Sequence, residues 1–118
     1  MTIEPWLSVP DGQRAVAFYA EAFGASVLER LENEDGEVDI AQFSVAGAHF
    51  WIQREQNVRP AGARFLLMVA DPAAAYDRAV AAGAVEVANV HEEHGWITGR
   101  VTDPFGFDWE LSRRLDLD

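Results

Sequence analysis

Apolar residues recur at strand spacing along eight short stretches of this chain and at helical spacing along two longer ones. Such spacing is typical of strands and helices that bury one face. The predicted strands are Thr2–Val9, Ala25–Leu31, Val38–Val45, Ala48–Arg54, Arg64–Val69, Ala84–Val90, Trp96–Thr102 and Phe107–Ser112. A helix is predicted between Asp11 and Gly24 and another between Asp71-Pro72 and Gly83, because Asp is a good N-cap, Pro suits the first turn and Gly ends helices.

The remaining stretches predict turns and loops. Asn33–Gly36 ends in Asp35-Gly36, a strong signal for a β-hairpin. Residues 55–62 contain few apolar side chains and predict a linker, and His91–Gly95 predicts a polar loop. Leu115–Asp118 is expected to fray, as chain ends commonly do.

Glycines at predicted turns recur at a constant separation of 59 residues. The matching positions are Gly24 and Gly83, Gly36 and Gly95, and Gly47 and Gly106. The same order of elements lies between them, so the pattern indicates a duplicated βαβββ unit. We therefore predict an α+β fold in one domain, 1–118, built of two modules, about 1–58 and 59–118.

Composition narrows the possible functions. The chain has 118 residues, a formal net charge of −11, and no cysteine or lysine, which excludes thiolate nucleophiles and lysine Schiff bases. An acidic surface repels nucleic acids and anionic membranes, so neither is an expected partner. It would attract a cationic ligand, although solubility alone also explains the charge. No apolar run approaches a membrane span, and we expect a cytoplasmic protein.

Four stretches resemble the vicinal oxygen chelate superfamily, which includes glyoxalase I, extradiol dioxygenases, fosfomycin resistance enzymes and bleomycin resistance proteins. They are Pro5-Trp6-Leu7-Ser8-Val9 running into Ala17-Phe18-Tyr19, Ala22-Phe23-Gly24-Ala25, Ala79 to Ala84, and Asp103-Pro104-Phe105-Gly106 with Trp109-Glu110-Leu111. The resemblance implies the glyoxalase/bleomycin resistance/dioxygenase fold, in which the modules curl a mixed sheet into a cup with the helices outside. It also implies a homodimer.

The resemblance further implies where a metal would bind. Its ligand positions fall on Glu4, Arg64 and Glu110. Two carboxylates could hold a hard divalent cation, but a guanidinium stays protonated and offers no lone pair. We therefore expect no catalytic metal, and Glu4 and Glu110 as its ligands if one is present. Arg64 is instead expected to pair with Glu110, Glu4 or both.

Strand alternation predicts which side chains line the cup, and Glu4 and Ser112 are among them. The expected ligand-binding residues are Trp6, Ser8, His49, Trp51, Gln53, Arg64, Leu66, Met68, Asp108 and Glu110. The apolar members of this set could equally fill a core or a subunit interface. His49 could be a ligand, a general base or merely a satisfied polar residue. The role of the loop with His91 and His94 stays open.

Three functions remain compatible with the residues. The first is a binding protein that holds a small, partly aromatic or cationic molecule without a catalytic metal. The alternative is a metal-dependent lyase, isomerase or transferase of the glyoxalase type. The third is a catalytically silent module that binds another protein. The sequence leaves open whether the protein is an enzyme.

Overall fold

The computed structural model describes residues 1–57 and 63–115. The chain divides into two compact units, Met1–Arg59 and Pro60–Asp118. Each unit has the element order βαβββ, so the predicted α+β fold and its internal repeat are confirmed. Among the described residues, neither helix is long and apolar enough to cross a membrane.

The first unit is a four-stranded mixed sheet with one helix. Its elements are β1 (Trp6–Val9), α1 (Gly12–Phe23), β2 (Ser26–Glu32), β3 (Val38–Val45) and β4 (Ala48–Arg54). The strand order is β1-β4-β3-β2, with β1 parallel to β4 and the other pairs antiparallel. Because α1 connects β1 at one edge of the sheet to β2 at the other, it crosses the sheet and packs on β3 and β4.

The second unit repeats this arrangement. Its elements are β5 (Arg64–Met68), α2 (Pro72–Ala81), β6 (Val85–Glu93), β7 (Trp96–Thr102) and β8 (Asp108–Arg114). The order β5-β8-β7-β6 matches that of the first sheet, and β5 again pairs in parallel with the last strand. The two final strands, β4 and β8, therefore occupy equivalent central places in their sheets.

Both helices begin at the predicted N-caps, and α1 ends at the predicted Gly24, whereas α2 ends at Ala81 with Ala82 as its C-cap. The side chain of Asp11 accepts a hydrogen bond from the Arg14 N–H at 3.0 Å, and that of Asp71 accepts one from the Ala74 N–H at 3.1 Å. These bonds satisfy N–H groups that lack a partner inside the helix. Gly24 closes α1 in the left-handed conformation, with φ 68°.

Each helix packs on its sheet through a glycine that permits close approach. A Cβ on Gly12 would lie 2.1 Å from the carbonyl oxygen of Val38, so only glycine lets α1 meet β3 there. In the second unit a Cβ on Gly99 would lie 2.9 Å from the Tyr76 ring of α2. The cores beneath include Phe18, Tyr19, Phe43, Phe50 and Ile52 in the first unit, and Tyr76, Val101, Trp109 and Leu111 in the second.

A buried carboxylate organises the turn that leads into β8. Asp103 is 3% exposed, and its Oδ1 accepts hydrogen bonds of 2.9 Å from the Phe105 and Phe107 N–H groups. Its Oδ2 accepts another from the Trp109 indole at 2.9 Å. Because these bonds fix both the turn and the first core side chain of β8, they set which face of the strand carries Glu110.

Two predictions about local structure are wrong. β1 begins at Trp6 rather than Thr2, since Pro5 has no N–H to donate to a strand ladder. His91–Gly95 is not a loop: β6 continues to Glu93, and only His94 and Gly95 form the turn, with φ of 49° and 82°. Two consecutive positive φ values suit a two-residue hairpin.

The other boundaries differ by a few residues. Leu115 does not fray, because its N–H donates to the Gly95 carbonyl at 2.8 Å. The rest of the predicted frayed end, residues 116–118, lies outside the described residues, as does the linker segment 58–62. The repeated glycines Gly36, Gly47, Gly95 and Gly106 all have positive φ and lie in corresponding turns of the two units.

Candidate functional site

Strand registers place the predicted site residues on one face of each sheet. In the second unit Arg64 lies opposite Asp108, and Leu66 opposite Glu110. Met68 lies opposite Ser112 in the same ladder. In the first unit Trp6 lies opposite Trp51, and Ser8 opposite Gln53. The intervening residues Leu7, Val9, Ile52, Trp109 and Leu111 are buried in the cores. Each unit therefore has a second, open sheet face.

The open face of the second unit contains a cavity of about 410 Å³. Pockets of this size accommodate small organic molecules. The cavity is lined by Leu66, Glu93, His94, Trp96, Thr98, Glu110 and Ser112. These residues come from β5, β7, β8 and the β6–β7 hairpin. Leu66 and Trp96 form the apolar walls, and the remaining side chains are polar or charged.

Strand alternation finds only part of this lining. Alternation along β5 and β8 predicts Leu66, Glu110 and Ser112 on the open face. Glu93, His94, Trp96 and Thr98 were not among the predicted ligand-binding residues. The available signal was the alternation of Trp96 and Thr98 about Ile97. Met68 and Asp108 lie on the same face but do not line the cavity.

Arg64 forms an ion pair with Glu110, as the sequence predicts for this pair. The Arg64 Nε lies 3.2 Å from the Glu110 Oε1. The Arg64 side chain is 53% exposed and that of Glu110 is 28% exposed, so water reaches both partners. An ion pair in such surroundings is weak and opens readily.

Asp108 is held by its neighbours on β7. The Thr102 hydroxyl donates to the Asp108 Oδ1 at 2.6 Å, and the Arg100 Nε donates to its Oδ2 at 3.1 Å. A second guanidinium nitrogen of Arg100 also contacts Oδ2. The Thr102 hydrogen bond, followed by that of Arg100, lowers the pKa of Asp108. This carboxylate therefore stays charged and holds Arg100, which lies opposite Glu110 in the register of β7 and β8.

Two histidines flank the carboxylate of Glu93 at the rim of the cavity. The His91 Nε2 lies 2.9 Å from the Glu93 Oε2, and the His94 Nε2 lies 3.7 Å from its Oε1. The His91 Nδ1 lies 2.7 Å from the Asn89 carbonyl oxygen. The bond to Asn89 and then that to Glu93 raise the pKa of His91, and the bond from His91 lowers the pKa of Glu93. Protonation of His91 therefore decides how much of the Glu93 charge is neutralised locally.

Hydroxyl groups and one indole complete the lining. Thr98 Oγ1 and Ser112 Oγ are 2.7 Å apart, and either one can donate to the other. The pair consequently offers a ligand a donor or an acceptor by rotation of its hydrogens. The guanidinium of Arg114 lies 5.9 Å from the centre of the Trp96 ring, a cation–π contact that helps to orient the indole.

The open face of the first unit carries two stacked tryptophans. The Trp6 and Trp51 ring centres are 5.4 Å apart at an interplanar angle of 21°. The Trp6 indole donates to the Gln53 Oε1 at 3.0 Å, and the Trp51 indole donates to the Glu4 Oε1 at 3.0 Å. The predicted residues Trp6, Trp51, Gln53 and Glu4 are therefore brought together.

Glu4 is surrounded mainly by neutral donors. Its Oε1 also accepts from the Gln42 amide at 2.8 Å, and the His49 Nδ1 lies 3.8 Å away. The bonds from Gln42 and Trp51 lower the pKa of Glu4. This carboxylate is therefore charged at neutral pH.

The residues at the implied metal positions do not suit a divalent ion. Arg64 offers no lone pair and pairs with Glu110, while the Glu4 Oε1 already accepts two strong hydrogen bonds. Within residues 1–57 and 63–115, no group of three or more histidine, aspartate or glutamate side chains is arranged to hold a metal. The donor set thus favours hydrogen bonding and charge pairing over metal coordination.

Comparison with known proteins gives consistent relatives over nearly the whole chain. The family model of the Glyoxalase/Bleomycin resistance protein/Dioxygenase superfamily matches residues 3–111. An uncharacterised protein of Mycobacterium bovis is 30% identical over 134 aligned positions, covering 98% of this chain and 87% of that protein. An uncharacterised protein of Arabidopsis thaliana is 35% identical over 117 positions, covering 85% of this chain and 70% of that one.

Solved structures share the fold. The X-ray structure of the Arabidopsis thaliana gene product superposes with a TM-score of 0.78 at 32% identity, covering 96% of this chain and 98% of that chain. TioX from a Micromonospora species superposes with a TM-score of 0.78 at 26% identity, covering 97% of this chain and all of that chain.

Proposed function

Since the chain belongs to the glyoxalase/bleomycin resistance protein/dioxygenase superfamily, we propose that it binds a small, partly aromatic cation in the cavity of the second unit. The observation that carries this proposal is the pairing of an apolar wall with two carboxylates in one cavity of ligand size. Such a combination recognises molecules with a flat apolar body and a basic group.

The apolar part of the ligand would lie between Leu66 and Trp96. Leu66, in the middle of the edge strand β5, is 53% exposed and leaves apolar surface for a ligand to cover. At about 25 cal/mol per Å² of apolar surface removed from water, a single aromatic ring gains a few kcal/mol here.

The charged part of the ligand would approach Glu110 and Glu93. Both carboxylates have partners that a ligand can displace: Arg64 for Glu110, and His91 with His94 for Glu93. The Arg64 side chain is half exposed, so it can turn to water while the ligand cation takes its place. The hydroxyl pair of Thr98 and Ser112 would then accept or donate a hydrogen bond that orients the ligand.

The test uses the indole N–H resonance of Trp96 in an NMR titration. We expect 2-phenylethylammonium to shift this resonance and to bind more tightly than the neutral 2-phenylethanol. Glu110→Gln should weaken binding of the ammonium by about fivefold, the upper range for an exposed ion pair. Glu92→Gln is the control, because Glu92 is the neighbour of Glu93 on β6 and lies outside the lining. Equal binding of both probes, or no shift at Trp96, would contradict the proposal.

The proposed activity requires no metal at the positions that the resemblance implies. The support is chemical: an arginine stands among the implied ligands, and it already pairs with one of the two carboxylates. Elemental analysis of protein purified without chelators tests this. Stoichiometric tight binding of manganese, nickel or zinc would overturn it and favour an enzyme of the glyoxalase type.

We further propose that the protein is a homodimer. The outer strands β2 and β6 expose large apolar side chains that an interface would cover. They are Leu28, Leu31, Val85 and Val87, each about half exposed or more. Light scattering should give the mass of two chains, and Leu31→Glu or Val85→Glu should yield monomers, whereas Glu29→Gln should not. A monomeric wild type at micromolar concentration would contradict the proposal.

A cytoplasmic location is also part of the proposal. It follows the expectation drawn from the sequence, and the absence of cysteine is compatible with a reducing compartment. Fractionation of cells that express the tagged protein tests it, and recovery with the membrane or exported fraction would contradict it.

A further inference from the structure

We infer that Trp6, Trp51 and Glu4 on the first unit form a second binding surface, which recognises a flat organic cation such as an amidinium. The two stacked indoles are called the indole platform below. The inference does not depend on the cavity of the second unit, because all of its residues belong to the first unit.

The indole platform is held in place before any ligand arrives. Both indole N–H groups donate hydrogen bonds, from Trp6 to Gln53 and from Trp51 to Glu4, each 3.0 Å long. Trp6 and Trp51 are also direct neighbours in the register of the parallel strands β1 and β4. A side chain fixed at both its ring and its backbone loses little conformational freedom on binding, so its contacts are more favourable.

The platform is nevertheless accessible. Trp6 is 50% exposed, although it sits in a sheet opposite another tryptophan. A half-exposed indole oriented by a hydrogen bond offers a flat, electron-rich ring face. Such a face attracts cations and flat rings.

Glu4 supplies a fixed negative charge beside this ring face. Its Oε1 accepts from Gln42 and Trp51, and its Oε2 accepts from the Thr2 hydroxyl at 3.2 Å. A carboxylate has about four acceptor positions, so these three bonds leave room for one more donor. Apart from His49 at 3.8 Å, the described residues that contact Glu4 are neutral. The charge is therefore ordered yet incompletely neutralised.

In the second unit, a carboxylate on the open face is neutralised by an arginine of the same chain. Arg64 lies two residues before Leu66, which is opposite Glu110 in the register of β5 and β8. Glu4 likewise lies two residues before Trp6, which is opposite Trp51 in the register of β1 and β4. In the first unit the carboxylate of Glu4 stands in place of the guanidinium, and the indole of Trp51 stands in place of the Glu110 carboxylate. The exchange turns an internal ion pair into an acceptor for an external cation.

Benzamidinium and benzamide test the inference as a charged and a neutral molecule of nearly the same shape. The chain has four tryptophans, and single Trp→Phe variants assign their indole N–H resonances. We expect benzamidinium to shift the Trp6 and Trp51 resonances with an affinity about tenfold higher than that of benzamide, as charge-assisted hydrogen bonds exceed neutral ones.

Glu4→Gln is the decisive variant. Its amide oxygen can still accept from Trp51 and Gln42, so the platform keeps its geometry while the charge is lost, which the Trp51 resonance reports. We expect this variant to bind benzamidinium no better than benzamide, and Trp6→Leu to weaken both. Glu21→Gln, at an exposed position on α1, is the matched control and should leave both affinities unchanged.

Two results would overturn the inference. One is equal affinity of the wild type for the two probes. The other is a benzamidinium response confined to Trp96, which would place the cation in the second unit and leave the proposed function standing. Shifts of Trp6 and Trp51 that vanish in Glu4→Gln would support the inference whatever happens at Trp96.

Discussion

Arg64 and Glu110 form an ion pair across the neighbouring parallel strands β5 and β8, with Nε and Oε1 3.2 Å apart. Both groups lie on the open face of the second unit, Arg64 on the edge strand β5 and Glu110 on its neighbour β8. The family resemblance implies metal-ligand positions at Arg64 and Glu110, and at one of them the chain has a guanidinium, which offers no lone pair. Because the pair is partly exposed to water, we expect its removal to change ligand binding more than the free energy of unfolding.

Replacing Arg64 with methionine should raise the affinity of the cavity for cations. The change removes the guanidinium that competes for Glu110 and keeps a side chain of similar length. We expect 2-phenylethylammonium to bind several-fold more tightly and the free energy of unfolding to change by no more than about 1 kcal/mol, the usual range of exposed pairs. The change in stability is small because the Arg64 side chain is 53% exposed and water reaches Glu110 when the guanidinium is removed.

NMR titration at Trp96 and urea denaturation measure the two quantities. Arg78→Met on α2 is the control, because it removes an arginine from an exposed position of the helix. A lower ammonium affinity in Arg64→Met would show that Arg64 assists binding and does not compete with the ligand.

Asp103→Ala should destabilise the protein strongly. The change leaves the Phe105 and Phe107 N–H groups and the Trp109 indole without their common acceptor in a buried turn. Each unsatisfied buried donor costs about 1–3 kcal/mol, so we expect a loss of about 3 kcal/mol or more in the free energy of unfolding. The free energy of unfolding of Asp103→Asn should lie between those of the wild type and Asp103→Ala, because only one of the two terminal atoms of the amide is an acceptor.

Urea unfolding followed by tryptophan fluorescence gives these differences. Asp77→Ala is the control, since it removes an exposed carboxylate on α2. If Asp103→Ala and Asp77→Ala lost equal stability, the turn would not depend on Asp103.

The sequence predicts the elements well because their signals are local. Caps at Asp11 and Asp71 and turn glycines act within a few residues, so each can be identified from its neighbours. Alternation in β4, β5 and β8 also holds, which places Trp51, Leu66 and Glu110 on open faces.

The cavity could not be predicted in full, because it depends on contacts between strands. The polar run His91–Glu93 predicts a loop, yet it pairs with β7 because His94 and Gly95 make a two-residue turn. Its register brings Glu93 opposite Trp96, which no local pattern reveals. Irregularities between Glu86 and Ala88 and between Ala88 and His91 further break the alternation of β6.

Gly99→Ala should separate α2 from its sheet. The added methyl would lie 2.8 Å from the Val90 Cγ2 and 2.9 Å from the Tyr76 ring, and overpacking of this kind costs about 1–3 kcal/mol. Shortening Val90 should relieve part of this clash. The double variant Gly99→Ala with Val90→Ala should therefore lose less free energy of unfolding than the two single variants added together. Urea unfolding of the four proteins measures the coupling. Strictly additive losses would mean that the added methyl does not meet the Val90 side chain.

The pairing of His91 with Glu93 should make cation binding depend on pH. The pKa of His91 is raised above its ordinary 6.5, chiefly by the Asn89 carbonyl and then by Glu93. The pKa of Glu93 is lowered below its ordinary 4.5 by His91. The contribution of His91 to stability is complete below pH 6.5 and is lost as pH rises through its raised pKa. That of Glu93 is present above pH 4.5 and is lost as pH falls through its lowered pKa.

The attraction between the two side chains is therefore fully developed from about pH 4.5 to 6.5 and declines above it. Protonated His91 competes with a ligand cation for Glu93, so the affinity of the cavity for 2-phenylethylammonium should increase as His91 loses its proton. NMR titration of the His91 ring gives its pKa directly, and Glu93→Gln should lower it towards the ordinary value. The same variant should flatten the pH dependence of ammonium binding, while Glu92→Gln should preserve both properties. A His91 pKa that Glu93→Gln leaves unchanged would mean that Asn89 alone sets it and that the rim does not respond to pH through this pair.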